Sequence, residues 1–273
     1  MPTTTAPWLR SDLHEAVVDV ARRAGREILE VYGTDFATER KADASPITEA
    51  DLRAHRLIVR ELGALDPGLP VLSEENVDEA APHRRSWSRY WLVDPLDGTK
   101  EFVSRNGEFT VNIALIDEGR PAFGVVHVPV TGRTYWGAAG AGAWRDSDVE
   151  PRRELTVRRP APSPLHVVGS RSHGNPALAQ RLDRLGPHVL HAVGSSIKLC
   201  LVAEGKADLY PRLGPTSEWD IAAGHAVIEA AGGQVLRLED GQPLRYNQRD
   251  TLLNPDFVAG GDAALLARFL AGD

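Results

Sequence analysis

A single cysteine, Cys200, stands among 273 residues, so no intramolecular disulfide and no cysteine-rich metal site can form. That scarcity fits a reducing compartment. The opening MPTTTAPWLRSD has neither a basic segment nor an apolar one, and no signal peptide is expected. No apolar run approaches the length of a membrane span. A cytoplasmic location is therefore expected, and peripheral association with the inner membrane is compatible with it. None of the nine histidines has H-E-x-x-H spacing, and neither a Walker loop nor G-x-G-x-x-G occurs. Zincins, P-loop enzymes and fingerprint-bearing dinucleotide binders are thereby excluded. Positive charge is short as well: 31 Lys and Arg against 38 Asp and Glu leave a net −7. Nothing suggests a nucleic-acid polymer or an anionic membrane as partner. A phosphorylated substrate would meet an unfavourable average field, which cations at the site would have to reverse.

What is present is ordinary globular composition, 42% hydrophobic and 25% charged. A chain of this size buries roughly three quarters of its unfolded surface. Its centre of interest is the stretch Trp91-Leu92-Val93-Asp94-Pro95-Leu96-Asp97-Gly98-Thr99-Lys100-Glu101-Phe102. The run from Tyr90 to Val93 predicts a buried strand. Pro95 suits the second position of a turn, and Gly98 tolerates conformations closed to other residues. Such a turn folds Asp94 and Asp97 to one side, where they repel unless a cation neutralises them. Hard oxygen ligands suit Mg²⁺. Thr99 then opens a short helix whose free N–H groups can receive a phosphate. Asp97 as a plain N-cap is the alternative.

Around it the periodicities are legible. Residues 12–32 carry apolar side chains at helical spacing, with Asp12 and Glu15 resembling a capping box and Gly33 a C-cap. Thr48 predicts the cap of a second helix through Leu65, with Asp51 at its third position, a place where a carboxylate also serves the helix dipole. Residues 69–72 read as a short strand entering Ser73-Glu74-Glu75, an acid pair of the kind usually left to solvent. Residues 80–89 are polar, basic and Pro-containing, and predict a mobile surface loop. Residues 109–116, 122–128 and 133–136 have period two, an antiparallel meander; the Gly-Ala run 137–143 reads as a tight loop and residues 155–157 as one more strand. After the Pro-rich stretch 160–164 strands and helices alternate, which argues an α/β layer. Two halves follow: 1–159, an α+β half, and 160–273, an α/β half. In the second, Ser195, Ser196 and Lys198 sit between a strand and a helix. The serines are N-caps or phosphate donors, and Asp220, before a helix from Ile221, is an N-cap by default.

The order K-A-D-x-S-P-I-T-E-A-D, L-S-E-E, W-L-V-D-P-L-D-G-T-K-E-F, G-S-S-I-K, S-E-W-D resembles the lithium-sensitive, Mg²⁺-dependent inositol monophosphatase family over residues 12–270. Within it the likeness is closest to the CysQ-type 3′(2′),5′-bisphosphate nucleotidases, on Lys100-Glu101-Phe102, Ser170-Arg171-Ser172-His173, G-S-S-I-K and P-T-S-E-W-D. The resemblance implies a layered αβαβα sandwich. It also implies a phosphomonoesterase that takes the 3′-phosphate from 3′-phosphoadenosine 5′-phosphate, or from its sulfated relative, and so clears a by-product of sulfate assimilation. Glu74, Asp94 and the Leu96 carbonyl would hold one Mg²⁺, and Asp94, Asp97 and Asp220 a second. A third, looser ion in some members leans on the residue matching Glu74. Asp51 and Thr99 match the pair that orients the attacking water. Gly98 and Thr99 amides would bind phosphate; Ser195, Ser196 and Lys198 the second phosphate; Arg171, His173 and Glu218 the nucleoside. A homodimer is a modest implication. The alternatives are an inositol-phosphate or fructose-bisphosphate type of sugar phosphatase and, more remotely, a non-catalytic phospho-ligand regulator. The regulator would be expected to have lost one of Asp51, Glu74, Asp94, Asp97, Thr99 or Asp220, and all six are present.

Overall fold

A computed structural model describes residues 10–34, 38–40, 46–170 and 176–271. In chain order its first elements are α1 (Ser11–Tyr32), β1 (Thr38–Arg40), β2 (Pro46–Thr48), α2 (Glu49–Leu65), β3 (Val71–Ser73), α3 (Val77–Ala80), β4 (Arg89–Asp97) and α4 (Thr99–Val103). The meander follows as β5 (Thr110–Asp117), β6 (Arg120–Val128), β7 (Arg133–Ala138), β8 (Gly142–Asp146) and β9 (Arg153–Leu155). The remainder is β10 (Leu165–Gly169), α5 (Pro176–Leu185), β11 (His188–Ala192), α6 (Ile197–Ala203), β12 (Leu209–Arg212), α7 (Glu218–Ala230), β13 (Gln234–Arg237), β14 (Phe257–Gly260) and α8 (Ala263–Ala271).

Strands β3 to β9 form a seven-stranded sheet in sequence order, antiparallel except for the parallel β3–β4 pair. Its central strands read as unbroken apolar runs because both faces are covered. Trp91, Val93, Val111, Ile113 and Val125 pack under α1 and α2. Tyr90, Leu92, Ala114, Ile116 and Val126 point the other way, into a core shared with α6 and α7. The second sheet, ordered β11-β10-β12-β14-β13, is mixed, and a third core lies between it and α5 and α8. The layers are thus α1/α2, sheet, α6/α7, sheet, α5/α8, the αβαβα sandwich expected. The chain leaves the first sheet at Leu155 and enters the second at Leu165. Helix α7 nevertheless packs against β5, β6 and β7, which joins the two sheets through one core.

Two local expectations change. Helix α1 starts at Ser11 with Arg10 before it, and Asp12 pairs with Arg10 instead of capping. Gly33 does close that helix, its N–H meeting the Leu29 carbonyl. Residues 80–89 are no mobile loop. Arg84 is buried, donates to Asn247 Oδ1 at 2.7 Å and to the Arg249 carbonyl at 3.0 Å, and so pins the segment. One guanidinium with enough partners overrides a polar, Pro-containing composition.

His127 on β6 lies beneath α1, with Nδ1 at 3.0 Å from Thr134 Oγ1. Burial, reinforced by Arg22 and Arg26, pushes its pKa down to about 4. In the unfolded chain the imidazole takes up a proton near pH 6.5, so between that pH and about 4 the unfolded state binds more protons. Stability is then full above about pH 6.5 and falls by about 3 kcal/mol as the pH drops to about 4. Denaturant titrations across that window should show this slope in the protein and a shallower one in His127→Gln. Equal slopes would remove His127 from the account.

Candidate active site

A strand, not a turn, brings the paired aspartates together. Strand β4 continues through Asp97, and Asp94 pairs with Asn112 while Asp97 pairs with Thr110, so the D-P-L-D segment carries one extra residue as a bulge. Pro95 fits where the ladder is broken, since it has no N–H to give. The turn expected at Pro95 is corrected accordingly, though its consequence survives. The Leu96 N–H donates to Asp94 Oδ1 at 3.1 Å. Gly98 then takes φ 94°, a left-handed conformation that starts α4 at Thr99, whose hydroxyl donates to the Leu96 carbonyl at 3.4 Å.

The other acids arrive from distant elements. Asp51 is the third residue of α2, a helix seated by Ala50, Ala54, Leu57, Ile58 and Leu62, and it is fully buried. Glu74 opens a 3₁₀ turn after β3, capped by Ser73. Helix α7 begins at Glu218, earlier than expected, with Ser217 as its N-cap. Asp220 is therefore no N-cap. It occupies the third helical position, and its Oδ2 accepts from the Ser217 N–H at 2.9 Å and the Thr216 hydroxyl at 2.7 Å.

Asp94, Asp97 and Asp220 each present an oxygen so that the three lie within 4.8 Å of one another. Asp94 is 1% exposed. Burial raises its pKa well above the usual carboxylate value, and Glu74, Asp97, Asp220 and Asp51 raise it further. Asp220 is pushed up to about 7 by burial first and by Asp97 next. Five acids from four parts of the chain thus feel one another at Asp94. An all-oxygen donor set with this much uncompensated negative charge suits a hard divalent cation. One oxygen of each member of the trio is already engaged by protein donors. Asp94 Oδ2, Asp97 Oδ1 and Asp220 Oδ1 accept no hydrogen bond among the described residues.

Ser196 turns to the aspartates instead of capping α6. Its N–H and hydroxyl lie 2.7 and 2.8 Å from Asp97 Oδ2, and the hydroxyl also meets the Asp220 carbonyl and the Asn112 amide. It makes no side-chain cap for α6. Lys198 is buried, and its ammonium donates to the Ser195 carbonyl at 2.6 Å and the Val193 carbonyl at 3.1 Å. Ser195, at φ 45°, is held in the left-handed region beside it. Glu218 does not line the cleft. It is buried, both its oxygens accept the Asn247 N–H, and burial pushes its pKa up to about 7. Arg171 and His173 lie outside the described residues.

The cleft itself, of about 150 Å³, is lined by Asp97, Gly98, Ser195, Ser196, Lys198 and Asp220 among the residues expected. It also brings in Lys100, Arg212 and Tyr210, which sequence reasoning missed as site residues. Only Lys100 carried a signal, as part of the K-E-F that follows D-G-T. Asn112, whose amide lies 2.9 Å from Ser196 Oγ, carried none.

Known proteins resemble this chain over nearly its whole length. The profile of the Inositol monophosphatase family matches residues 9–271. The 3′(2′),5′-bisphosphate nucleotidase CysQ of Salmonella typhimurium is 51% identical over 245 residues, covering 89% of this chain and 97% of that protein. The crystal structure of CysQ from Bacteroides thetaiotaomicron superposes with a TM-score of 0.80 at 42% identity, covering 92% of this chain and 97% of that one. An IMPase from Thermotoga maritima has the same fold, with a TM-score of 0.75 at 23% identity, covering 96% of this chain and 98% of that one. A match of such extent leaves no segment of either sheet outside it, and the chain belongs to the inositol monophosphatase family.

Proposed function

We propose that this chain is a Mg²⁺-dependent 3′(2′),5′-bisphosphate nucleotidase. It would hydrolyse the 3′-phosphate of 3′-phosphoadenosine 5′-phosphate to leave AMP, accept the sulfated relative as a second substrate, and act in the cytoplasm to clear a by-product of sulfate assimilation. The convergence of Asp51, Glu74, Asp97 and Asp220 on buried Asp94 carries the reaction type. The choice of substrate rests on the 51% identity to the nucleotidase CysQ. Glu74, Asp94 and the Leu96 carbonyl would hold one ion and Asp94, Asp97 and Asp220 another, with a looser third at Glu74. Bound there, the metal supplies charge that polarises the phosphoryl group and acidifies a water.

The chain's own groups do the rest. Ser196 turns Asp97 towards its partners, and the Thr216 hydroxyl with the Ser217 N–H does the same for Asp220. The Gly98 and Thr99 N–H groups bind phosphate oxygens, which suits a transfer that depends on positioning and charge. Thr99 orients the attacking water, and Asp51 orients Thr99. Lys198 holds the Ser195 carbonyl, so the second phosphate falls to Ser195 with Lys100 and Arg212 in the cleft wall. The site lies between the halves 1–159 and 160–273. A homodimer, the assembly proposed, is tested by sedimentation.

Comparing kcat/KM on the bisphosphonucleotide, inositol 1-phosphate and fructose 1,6-bisphosphate decides the substrate. A preference of at least about tenfold for the nucleotide is expected, and a sugar phosphate in first place overturns the proposal. Asp51→Asn should lower kcat by about 10²-fold, the range of a lost proton-handling group, while the half-saturating Mg²⁺ concentration stays within about twofold. Unchanged turnover would return Asp51 to a helix-capping role.

A further inference from the structure

A second cavity, of about 400 Å³, shares no lining residue with the cleft. It lies between the β5–β6 turn, the end of β13 and residues 239–255, and four arginines face it: Arg120, Arg237, Arg245 and Arg249. Arg237 is neutralised by Glu239 at 3.2 Å and by Asp240. The other three make no ion pair among the described residues. Arg245 donates to the Glu118 carbonyl at 3.3 Å and Arg249 to the Leu253 carbonyl, bonds that fix the side chains without a carboxylate in direct contact. Gln242 and Gln248 add amide donors. In a chain of net charge −7 this is a local reversal of sign. The volume is that of a small-molecule site, and guanidinium forks match phosphate oxygens in pairs. A concavity of this size, in an acidic surface, favours a compact anion over an extended polyanion.

The pocket wall and the catalytic cleft are tied by one segment. Asn247, held at φ 58°, gives its N–H to both oxygens of Glu218. It also exchanges hydrogen bonds with Arg84, which donates in turn to the Arg249 carbonyl. The Leu252 carbonyl accepts the Glu218 N–H at 2.8 Å, and Asn254 bonds Thr216 and Ser217 through its N–H and side-chain amide. Thr216 and Ser217 are the residues that hold Asp220. A shift of 247–254 therefore moves the start of α7.

We propose that this pocket binds a small polyphosphorylated anion and that its occupancy steadies Asp220 through residues 247–254. It is a regulatory site apart from the cleft, and the proposal does not depend on which phosphomonoester the cleft takes.

Calorimetry with inorganic pyrophosphate, on the full chain at constant free Mg²⁺, tests it against Arg120→Gln/Arg245→Gln, two exposed positions outside the cleft. The protein should show a binding event that weakens at least about tenfold in the double variant, the loss expected for two charge-assisted contacts. Hydrogen exchange should slow at 216–220 as well as at 247–254 on pyrophosphate addition, and only in the unsubstituted protein. Equal affinity in both proteins would place the anion in the cleft and overturn the site. Tight binding with unchanged exchange at 216–220 would overturn the coupling.

Discussion

Asp94→Asn is expected to lower kcat/KM with Mg²⁺ by about 10³-fold or more, the scale at which a bridging metal ligand acts on a phosphoryl transition state. The reason lies in position more than in charge. Asp94 is 1% exposed, and four other acids raise its pKa, so its carboxylate is the group whose ionised form most needs a cation. A carboxamide keeps the shape and can still accept the Leu96 N–H, yet it brings no negative charge. The metal-free protein should consequently be as stable as before, or more so, because a desolvated and crowded acid has gone. What should vanish is the rise in Tm that Mg²⁺ produces by binding the folded state alone. Asp240→Asn serves as the control. Asp240 is exposed and bonded to Arg237 and Gln242, so both rate and metal response should stay within about twofold of the parent's, as for a surface substitution. Full Mg²⁺-dependent activity in Asp94→Asn would end the account of the carboxylate floor.

Gly124→Ala should destabilise the fold by about 3 kcal/mol, a Tm loss of about 5 °C for a chain of this length. Gly124 lies on β6 where α7 crosses it. A Cβ there would stand 2.4 Å from the Ala223 carbonyl oxygen, 2.8 Å from Ala223 Cα and 2.8 Å from Ala226 Cβ. Two of those atoms are helix backbone, so no rotamer relieves the clash and α7 must be pushed off the sheet. Asp220 stands in the first turn of the same helix, one turn before Ala223. The variant should then also need more Mg²⁺ for half-maximal activity. Gly63→Ala provides the opposite sign. Gly63 is exposed within α2, and a Cβ there meets nothing within 4 Å, so alanine should stabilise by about 0.5–1 kcal/mol through helix propensity. Thermal melts of the two variants side by side make the comparison. If both shift alike, close packing of β6 on α7 does not govern stability.

Much of the site was legible in the chain, though unevenly. Asp94 and Asp97 could be paired from their two-residue spacing and the apolar run before them, even though the backbone joins them as a bulge and not as a turn. Asp51 at the third position of α2 followed from the Thr48 signal and helical periodicity. By themselves, Asp220 and Ser196 read as caps, because serine and aspartate near a helix start have that role by default. Ser217 took the cap of α7, which freed Asp220 for the trio, and Ser196 turned across to Asp97 on the other sheet. Arg84 looked like loop charge until Asn247 and Arg249 closed over it.

By itself the sequence determined the periods, the close of α1 at Gly33, the helix start at Thr99 and the change of pattern after residue 160. Those features depend on neighbours within a few positions, where steric and hydrogen-bonding preferences act directly. Only the tertiary structure decided which acids meet, which oxygens stay open, and which serine orients a carboxylate. Each of these depends on packing between elements far apart in the chain, above all on α7 resting against β6. Convergence of charge is a property of distance in space, and residue spacing along a chain does not encode it.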